Sequence, residues 1–223
     1  AAESAVIGDP HVKVGLSAGD GGALMWPMLV GFQKAKELLF LGDTTETGYA
    51  KTAFGLRDWA PQRCVGEFSL PGATVTTGLP FLTPAQAHAS GARAMVIGVA
   101  NAGGFIPPAW IDALVEAMRA GLDLIGGMHT RLRDIPELRE VAAQLGRRLI
   151  DVREPPARIP IATGRPRTGR RLLTLGTDCA LGKKYTALAL ARAFQARGVD
   201  ATFRATGQTG ILIAGGGVPM DAV

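Results

Sequence analysis

The chain has 223 residues, 47% of them hydrophobic, and 24 basic against 19 acidic side chains leave a formal net charge of +5. That length holds one large or two small domains around a substantial core, and no apolar run reaches the length of a transmembrane helix. The mild basic excess and the aromatic content of 6% argue against a nucleic-acid surface, which needs dense positive clusters and stacking rings, and favour an anionic small molecule such as a nucleotide or coenzyme.

Cys64 and Cys179 stand far apart, with neither disulfide nor zinc spacing, and read as reduced thiols. The first residues lack a basic region followed by an apolar block, so a cytoplasmic protein without membrane attachment is expected. Residues 1–37 read unlike the rest of the chain, being rich in glycine and carrying a Met/Trp cluster. From Leu38 an alternation of strands and helices begins. LLFLGD is a first strand, Tyr49 to Trp59 has apolar residues at helical spacing before Pro61, and CVGEFSLPG is a second strand closed by Pro71-Gly72. Thr83-Pro84 opens a short helix through Ala89, with Thr83 as N-cap. Ala94 to Ala100 is a buried strand, Pro108 to Ala120 a helix, LDLIGGM a strand, Ile135 to Leu145 an amphipathic helix, and RRLIDVR a closing strand. This regularity implies parallel strands and right-handed crossovers in a first domain over residues 38–153.

Residues 154–170 carry Pro155, Pro156, Pro160 and Pro166 among Arg158, Arg165, Arg167 and Arg170, and read as a linker. These arginines either form a solvated basic stretch or flank an anionic coenzyme. Residues 171–223 then open a second domain. Leu172 to Leu175 suggests a buried strand, Gly176 to Gly182 a glycine turn, and Lys183 leads into a helix through Arg197 with Gly198 beyond its end. Strand, glycine loop, lysine and helix form the layout of a phosphate-cradling P-loop, in which backbone N–H groups, the helix N-terminus and an ammonium converge on phosphate oxygens. Two departures stand out: five residues separate the glycines in place of four, and Lys184 occupies the position of the magnesium-holding Ser or Thr, leaving Thr186 as the nearest hydroxyl. Ala201 to Ala205 reads as a second strand and Thr206 to Gly210 as a polar glycine turn. The fold class is therefore α/β: a Rossmann-like parallel sheet followed by a P-loop domain, of which only the first strand–loop–helix–strand portion is expected here.

Two family resemblances accompany these readings. GDPHVKVGLSAGDGGALMWPMLVGFQKAKELLFLGD resembles the middle of the crotonase (enoyl-CoA hydratase/isomerase) family. The position after Gly-x-Pro, often a catalytic glutamate in that family, is His11 here, and the upstream oxyanion loop and first acid have no counterpart. From about Leu38 to Val223, the motifs GYAKTAFGLRDW, VIGVANAGG, GLDLIGGMH, RRLIDVR, LLTLGTDCALGKKYTALAL and FRATGQTGILIAGGGVPMDAV resemble a bacterial family once described only as a domain of unknown function. Its members are linked to D-glutamate (D-amino-acid) N-acetylation. That resemblance implies an acetyl-CoA donor, an acidic D-amino acid as acceptor, and a P-loop domain that continues past Val223, so this chain reads as a fragment or a chimera of the two families. The GTDCALGK loop is also similar to that of dethiobiotin synthetases, which implies ATP with magnesium as the alternative ligand and an ATP-dependent ligase or kinase as the alternative activity. An inactive nucleotide-binding fragment is the third possibility.

Acetyl transfer to an amine needs donor binding, a deprotonated amine and stabilisation of a tetrahedral oxyanion. Gly176, Thr177, Asp178, Cys179, Gly182, Lys183, Lys184 and Thr186 are the candidates to grip coenzyme phosphates. Asp178 is a candidate base or amine-orienting group, or caps its own loop; Cys179, near a helix N-terminus, either carries an acyl group or is there for fit. Arg204, Thr206 and Gln208 follow a strand end, where ligands of open α/β sheets bind, and a planar guanidinium matches a glutamate carboxylate. Asn101, with Gly103 and Gly104, holds the equivalent place in the first domain. His129 is a candidate general base, or a hydrogen-bonded loop histidine. No resident metal is expected, and a homo-oligomer is.

Overall fold

The computed structural model describes residues 36–159, 164–165, 168–178 and 181–222. The crotonase-like segment with His11 lies outside them apart from its last residues, and so does Cys179. Five strands form one parallel sheet in the order β2-β1-β3-β4-β5: β1 (Lys36–Gly42), β2 (Cys64–Ser69), β3 (Ala92–Ile97), β4 (Asp123–Gly126) and β5 (Leu149–Asp151). Helices cover its faces, so the central strands are apolar along most of their length: Leu38, Leu39, Phe40 and Leu41 of β1 and Met95, Val96 and Ile97 of β3 are buried. Among the described residues no helix is long and apolar enough to cross a membrane.

The connecting helices follow the sequence signals. α1 (Lys51–Trp59) is preceded by a 3-10 turn at Thr47–Ala50 and buries Thr52, Ala53, Gly55 and Leu56. α2 (Pro84–Ala89) begins with a complete capping box: Gln86 N–H donates to Thr83 Oγ1 at 3.3 Å and Thr83 N–H to Gln86 Oε1 at 2.9 Å. α3 (Ile111–Arg119) inserts Leu114 and Met118 into the core, and α4 (Pro136–Leu145) inserts Leu138 and ends at Gly146 in the left-handed region (φ +62°). β3 stops at Ile97, three residues before the expected end. Gly98 lies where a Cβ would come within 2.7 Å of the Ala53 side chain, and its carbonyl accepts from Ala53 N–H, so the chain leaves the sheet against α1.

The second region departs more. α5 (Lys183–Gln195) forms as expected, with Gly182 as its N-cap (φ +91°). Leu172 to Leu175, however, is not a strand: Leu172, Leu173 and Leu175 are 64%, 74% and 81% exposed. A strand buried on both faces exists only between neighbours, and the described residues place none beside it. Ala201 to Ala205 is likewise extended without forming a strand, with one bridge from Ala205 to Gly217. The expected turn at Thr206 to Gly210 is shorter, because Gln208 already begins α6 (Gln208–Ala214), whose Thr209, Gly210 and Leu212 are buried.

α6 packs on α1, which joins the second region to the sheet. Thr52 and Thr209 share a hydrogen bond of 2.9 Å through their hydroxyls. A Cβ on Gly55 would lie 2.7 Å from Thr209 Cγ2 and 3.1 Å from Lys184 Nζ, so the contact needs glycine. At the foot of β1, Arg63 and Glu37 form an ion pair 4% and 1% exposed, and Arg63 Nη1 also donates to the Leu212 carbonyl of α6 at 2.5 Å. Burial raises the Glu37 carboxyl above the usual carboxylate range, with Arg63 opposing the shift. Burial also pushes the neighbouring Cys64 thiol up to about 12, so this free cysteine stays protonated and unreactive.

Candidate functional site

In an open parallel sheet the loops after the strands face one crevice, because every strand points the same way. Here those loops bring Asn101 and Gly104 (after β3), His129 (after β4) and Arg153 (after β5) onto one wall of a cleft of about 2000 Å³. Residues from the start of α5 and from the stretch leading into α6 supply the rest, including Lys183, Lys184, Arg204 and Gln208. Counting Lys51, Arg170 and Arg171 as well, seven basic side chains among the described residues line the cleft against one carboxylate, Asp200. Such a surface concentrates anions.

Local contacts set each wall. The Gly104 carbonyl accepts from His129 N–H at 2.6 Å and Thr130 N–H at 3.2 Å, and the Asp151 carboxylate accepts from Leu132 N–H at 2.7 Å. These hold the His129 loop between the ends of β3 and β5. Gly104 lies in the left-handed region (φ +61°), and a Cβ there would fall 2.2 Å from His129 Cδ2. Arg153 Nη1 donates to Gln208 Oε1 at 3.0 Å, while its Nη2 lies 3.4 Å from His129 Nδ1. Asn101 Nδ2 donates to the Phe105 carbonyl at 3.0 Å, and its Oδ1 is buried without a partner among the described residues.

On the other wall Thr174, Gly176 and Asp178 all meet Lys183. Its ammonium donates to the Asp178 carbonyl, its side chain packs at 3.1 Å from the Cβ position of Gly176, and its own carbonyl accepts from Thr174 Oγ1 at 3.1 Å. Gly182, Lys183 and Lys184 line the cleft, whereas Gly176, Thr177, Asp178 and Thr186 stand outside its lining. The Thr186 hydroxyl donates to the Gly182 carbonyl at 3.2 Å. Of the acceptor candidates, Asn101, Arg204, Thr206 and Gln208 all line the cleft, as does His129. Sequence reasoning missed Arg153, Lys51 and Arg171. For Arg153 the signal was present: it stands two residues past β5, where the rule applied to Asn101 would have found it.

The Lys184 ammonium rests against α1 and over the Tyr185 ring, 5.0 Å from its centroid. Burial lowers its pKa to about 8, repulsion from Lys51 adds to this, and Asp58 opposes it. Because only the protonated amine attracts an anion, affinity for sulfate, whose own charge is constant, is expected to fall as pH rises from 7 to 9.5. A calorimetric titration reads this, and in Lys184→Met the pH dependence over that interval flattens.

Residues 68–155 match the profile of a domain of unknown function described as the DUF1611 N-terminal, Rossmann-like domain, and residues 160–223 that of the DUF1611 P-loop domain. Two curated relatives are named D-glutamate N-acetyltransferase. The one from Tritonibacter scottomollicae is 54% identical over 186 residues, covering 83% of this chain and 56% of the relative. The one from a Pseudoalteromonas species is 42% identical over 190 residues, covering 85% and 57%. The chain thus spans little more than half the length of these relatives. A crystal structure of a DUF1611 family protein from Anabaena variabilis is similar at a TM-score of 0.72 and 33% identity, over 86% of this chain and 58% of that one. The five-stranded parallel sheet, the glycine loop before α5 and these matches agree: the chain belongs to the DUF1611 family, with a Rossmann-like domain followed by a P-loop domain.

Proposed function

We propose that the whole protein is a coenzyme-A-dependent N-acetyltransferase, and that its acceptor is the amine of D-glutamate or a related acidic D-amino acid. The observation that carries this reading is the cleft itself, with seven basic groups against one acid among the described residues, a P-loop lysine on one wall and the strand ends of a parallel sheet on the other. The named activity of the curated relatives supports the same reaction class. Coenzyme A carries a pyrophosphate and a 3′-phosphate, and both suit Lys183, Lys184 and the α5 N-terminus. The Lys183 ammonium is satisfied here by a main-chain carbonyl, which a phosphate oxygen can replace at the same donor. The donor contributes the activated acetyl group. The chain's own residues bind its phosphates, exclude water and hold the acceptor amine near the sheet wall, where Asn101, Gln208 and Arg204 stand. Asp178, a candidate base in the sequence, stands outside the cleft lining, and its part in this reading is the main-chain carbonyl that positions the Lys183 ammonium.

Two features favour phosphate binding over magnesium-assisted phosphoryl transfer. Lys184 stands where a P-loop NTPase holds its metal through a hydroxyl, and the Thr186 hydroxyl is turned back onto the helix backbone. The test measures thiol release by full-length protein supplied with acetyl-CoA and D-glutamate. Lys183→Met is expected to raise the KM for acetyl-CoA about 10- to 100-fold, the worth of a charge-assisted contact, and to leave the KM for the acceptor unmoved. Full-length protein that neither binds coenzyme A nor acetylates an acidic amino acid would overturn the reading.

A further inference from the structure

Lys51 and Lys184 come from different segments and share one face of α1. Lys51 opens that helix, and Gly55, four residues later, stands on the same face about 6 Å further along. The Lys184 ammonium lies 3.1 Å from the Cβ position of Gly55, so it sits one helical turn from Lys51. Both lysines line the cleft. Apart from the Tyr185 ring beside Lys184, neither ammonium has a hydrogen-bond or ion-pair partner among the described residues. Asp58, the acid that acts on Lys184, is engaged elsewhere: its Oδ1 accepts from Arg57 Nε at 2.7 Å and its Oδ2 from the Tyr185 hydroxyl at 3.0 Å. α6, which also packs at Gly55, carries no titratable side chain. Lys183 points away from this pair, back to Asp178 and Gly176, as its place about 100° round the helix from Lys184 requires.

Two like charges a turn apart repel each other, and burial of Lys184 adds to the cost of its charge. A dianion relieves both lysines at once. A carboxylate carries a single charge, and so does each phosphate within a disubstituted pyrophosphate. A phosphate monoester carries close to two near neutral pH, on one group with three acceptor oxygens. We propose that Lys51 and Lys184 form a site for a terminal phosphate monoester, distinct from the Lys183 loop, and that it takes the 3′-phosphate of the acyl donor. The identity of the donor rests on the acetyltransferase reading; the preference for a monoester dianion does not. The donor's phosphates are then divided, with the pyrophosphate at Lys183 and the 3′-phosphate across Lys51 and Lys184. The division also accounts for a lysine where a P-loop NTPase has a hydroxyl: in place of a metal ligand, the position supplies the second positive charge beside Lys51.

The experiment is calorimetric titration of full-length wild type, Lys51→Met and Lys184→Met with coenzyme A, 3′-dephospho-coenzyme A and ATP. The wild type is expected to bind coenzyme A about 10- to 100-fold more tightly than the dephospho form, the worth of charge-assisted contacts. Each variant is expected to lose most of that preference while binding the dephospho form as the wild type does, which also shows that it is folded. Lys51 is exposed, so its variant carries the test even if Lys184→Met fails to fold. A second readout is proton uptake at pH 8, measured from the dependence of the binding heat on buffer ionisation. Lys184, with a pKa of about 8 before binding, regains its full charge beside a dianion. Coenzyme A should therefore take up more protons than the dephospho form, and in Lys184→Met the difference should vanish; a merely structural lysine would produce none. Equal affinity of the wild type for the two coenzyme forms, or an unchanged preference in the variants, overturns the site. ATP bound in place of coenzyme A, and weakened in both variants, supports the monoester site and overturns its assignment to the acyl donor. If no form of coenzyme A binds, the acetyltransferase reading fails by itself. Titration of the three proteins with methyl phosphate then decides the site independently: tighter binding by the wild type supports it, and no difference overturns it.

Discussion

Arg63→Leu is expected to destabilise the fold by about 3–5 kcal/mol, the cost of leaving one member of a buried ion pair without its partner. Arg63 is the counter-charge of Glu37 under β1 and a donor to the Leu212 carbonyl of α6. Leucine removes both functions at once, leaving a carboxylate and a carbonyl oxygen in an apolar setting. Removal of the guanidinium also deprives Glu37 of the group that lowers its pKa, so burial alone acts and the folded-state pKa rises further above the unfolded one. In that case the folded state binds the extra proton. The variant is accordingly most stable at low pH and loses stability as pH rises from the unfolded value through the raised folded one. Urea denaturation at pH 5 and pH 8 measures both effects, with the larger deficit at pH 8. The double replacement Glu37→Leu/Arg63→Met, which removes both charges, should recover most of the loss. A single variant within about 1 kcal/mol of wild type would show that the pair does not anchor the foot of β1.

Gly104→Ala is expected to lower turnover about a hundredfold, the scale on which a displacement near 1 Å acts on a reacting geometry. The left-handed backbone at Gly104 costs an alanine roughly 1–2 kcal/mol. Its Cβ would fall 2.2 Å from the His129 ring and 3.2 Å from the His129 nitrogen. Because the Gly104 carbonyl also anchors His129 and Thr130, the ring cannot move without the loop moving as well. Both activity and thermal midpoint should fall, while the affinity for coenzyme A, for which the other wall is the proposed site, stays near that of the wild type. A Gly104→Ala protein with wild-type acceptor kinetics would show that the ring has room the geometry denies it.

Much of the first domain was legible because its signals are local. Thr83 followed by Pro84 announces the start of α2, and apolar spacing announces α1, α3 and α4. The buried strands β1 and β3 read as continuous apolar runs, since both their faces are covered. What failed was non-local. Leu172 to Leu175 has the composition of a strand but acquires that state only from neighbours, and Gln208 to Ala214 becomes a helix by packing on α1. Nothing about Arg63, in a stretch reading PQRCVG, says that it will be buried against Glu37 from another strand. At the site, the lysines of the glycine loop and the residues at strand ends could be found from motif and topology. The pairing of Arg153 with His129 and Gln208 could not, because it joins three segments that only the folded chain brings together.

Gly55 sets how closely α6 can approach α1 by lacking a side chain. Bare backbone at that point of α1 lets α6 and the Lys184 ammonium settle directly on the helix. Alanine, ordinarily the better helix former by roughly 1 kcal/mol, would act there as a wedge between the two halves. At this one position, local helix preference and the closeness of the two helices pull in opposite directions, and the closeness prevails.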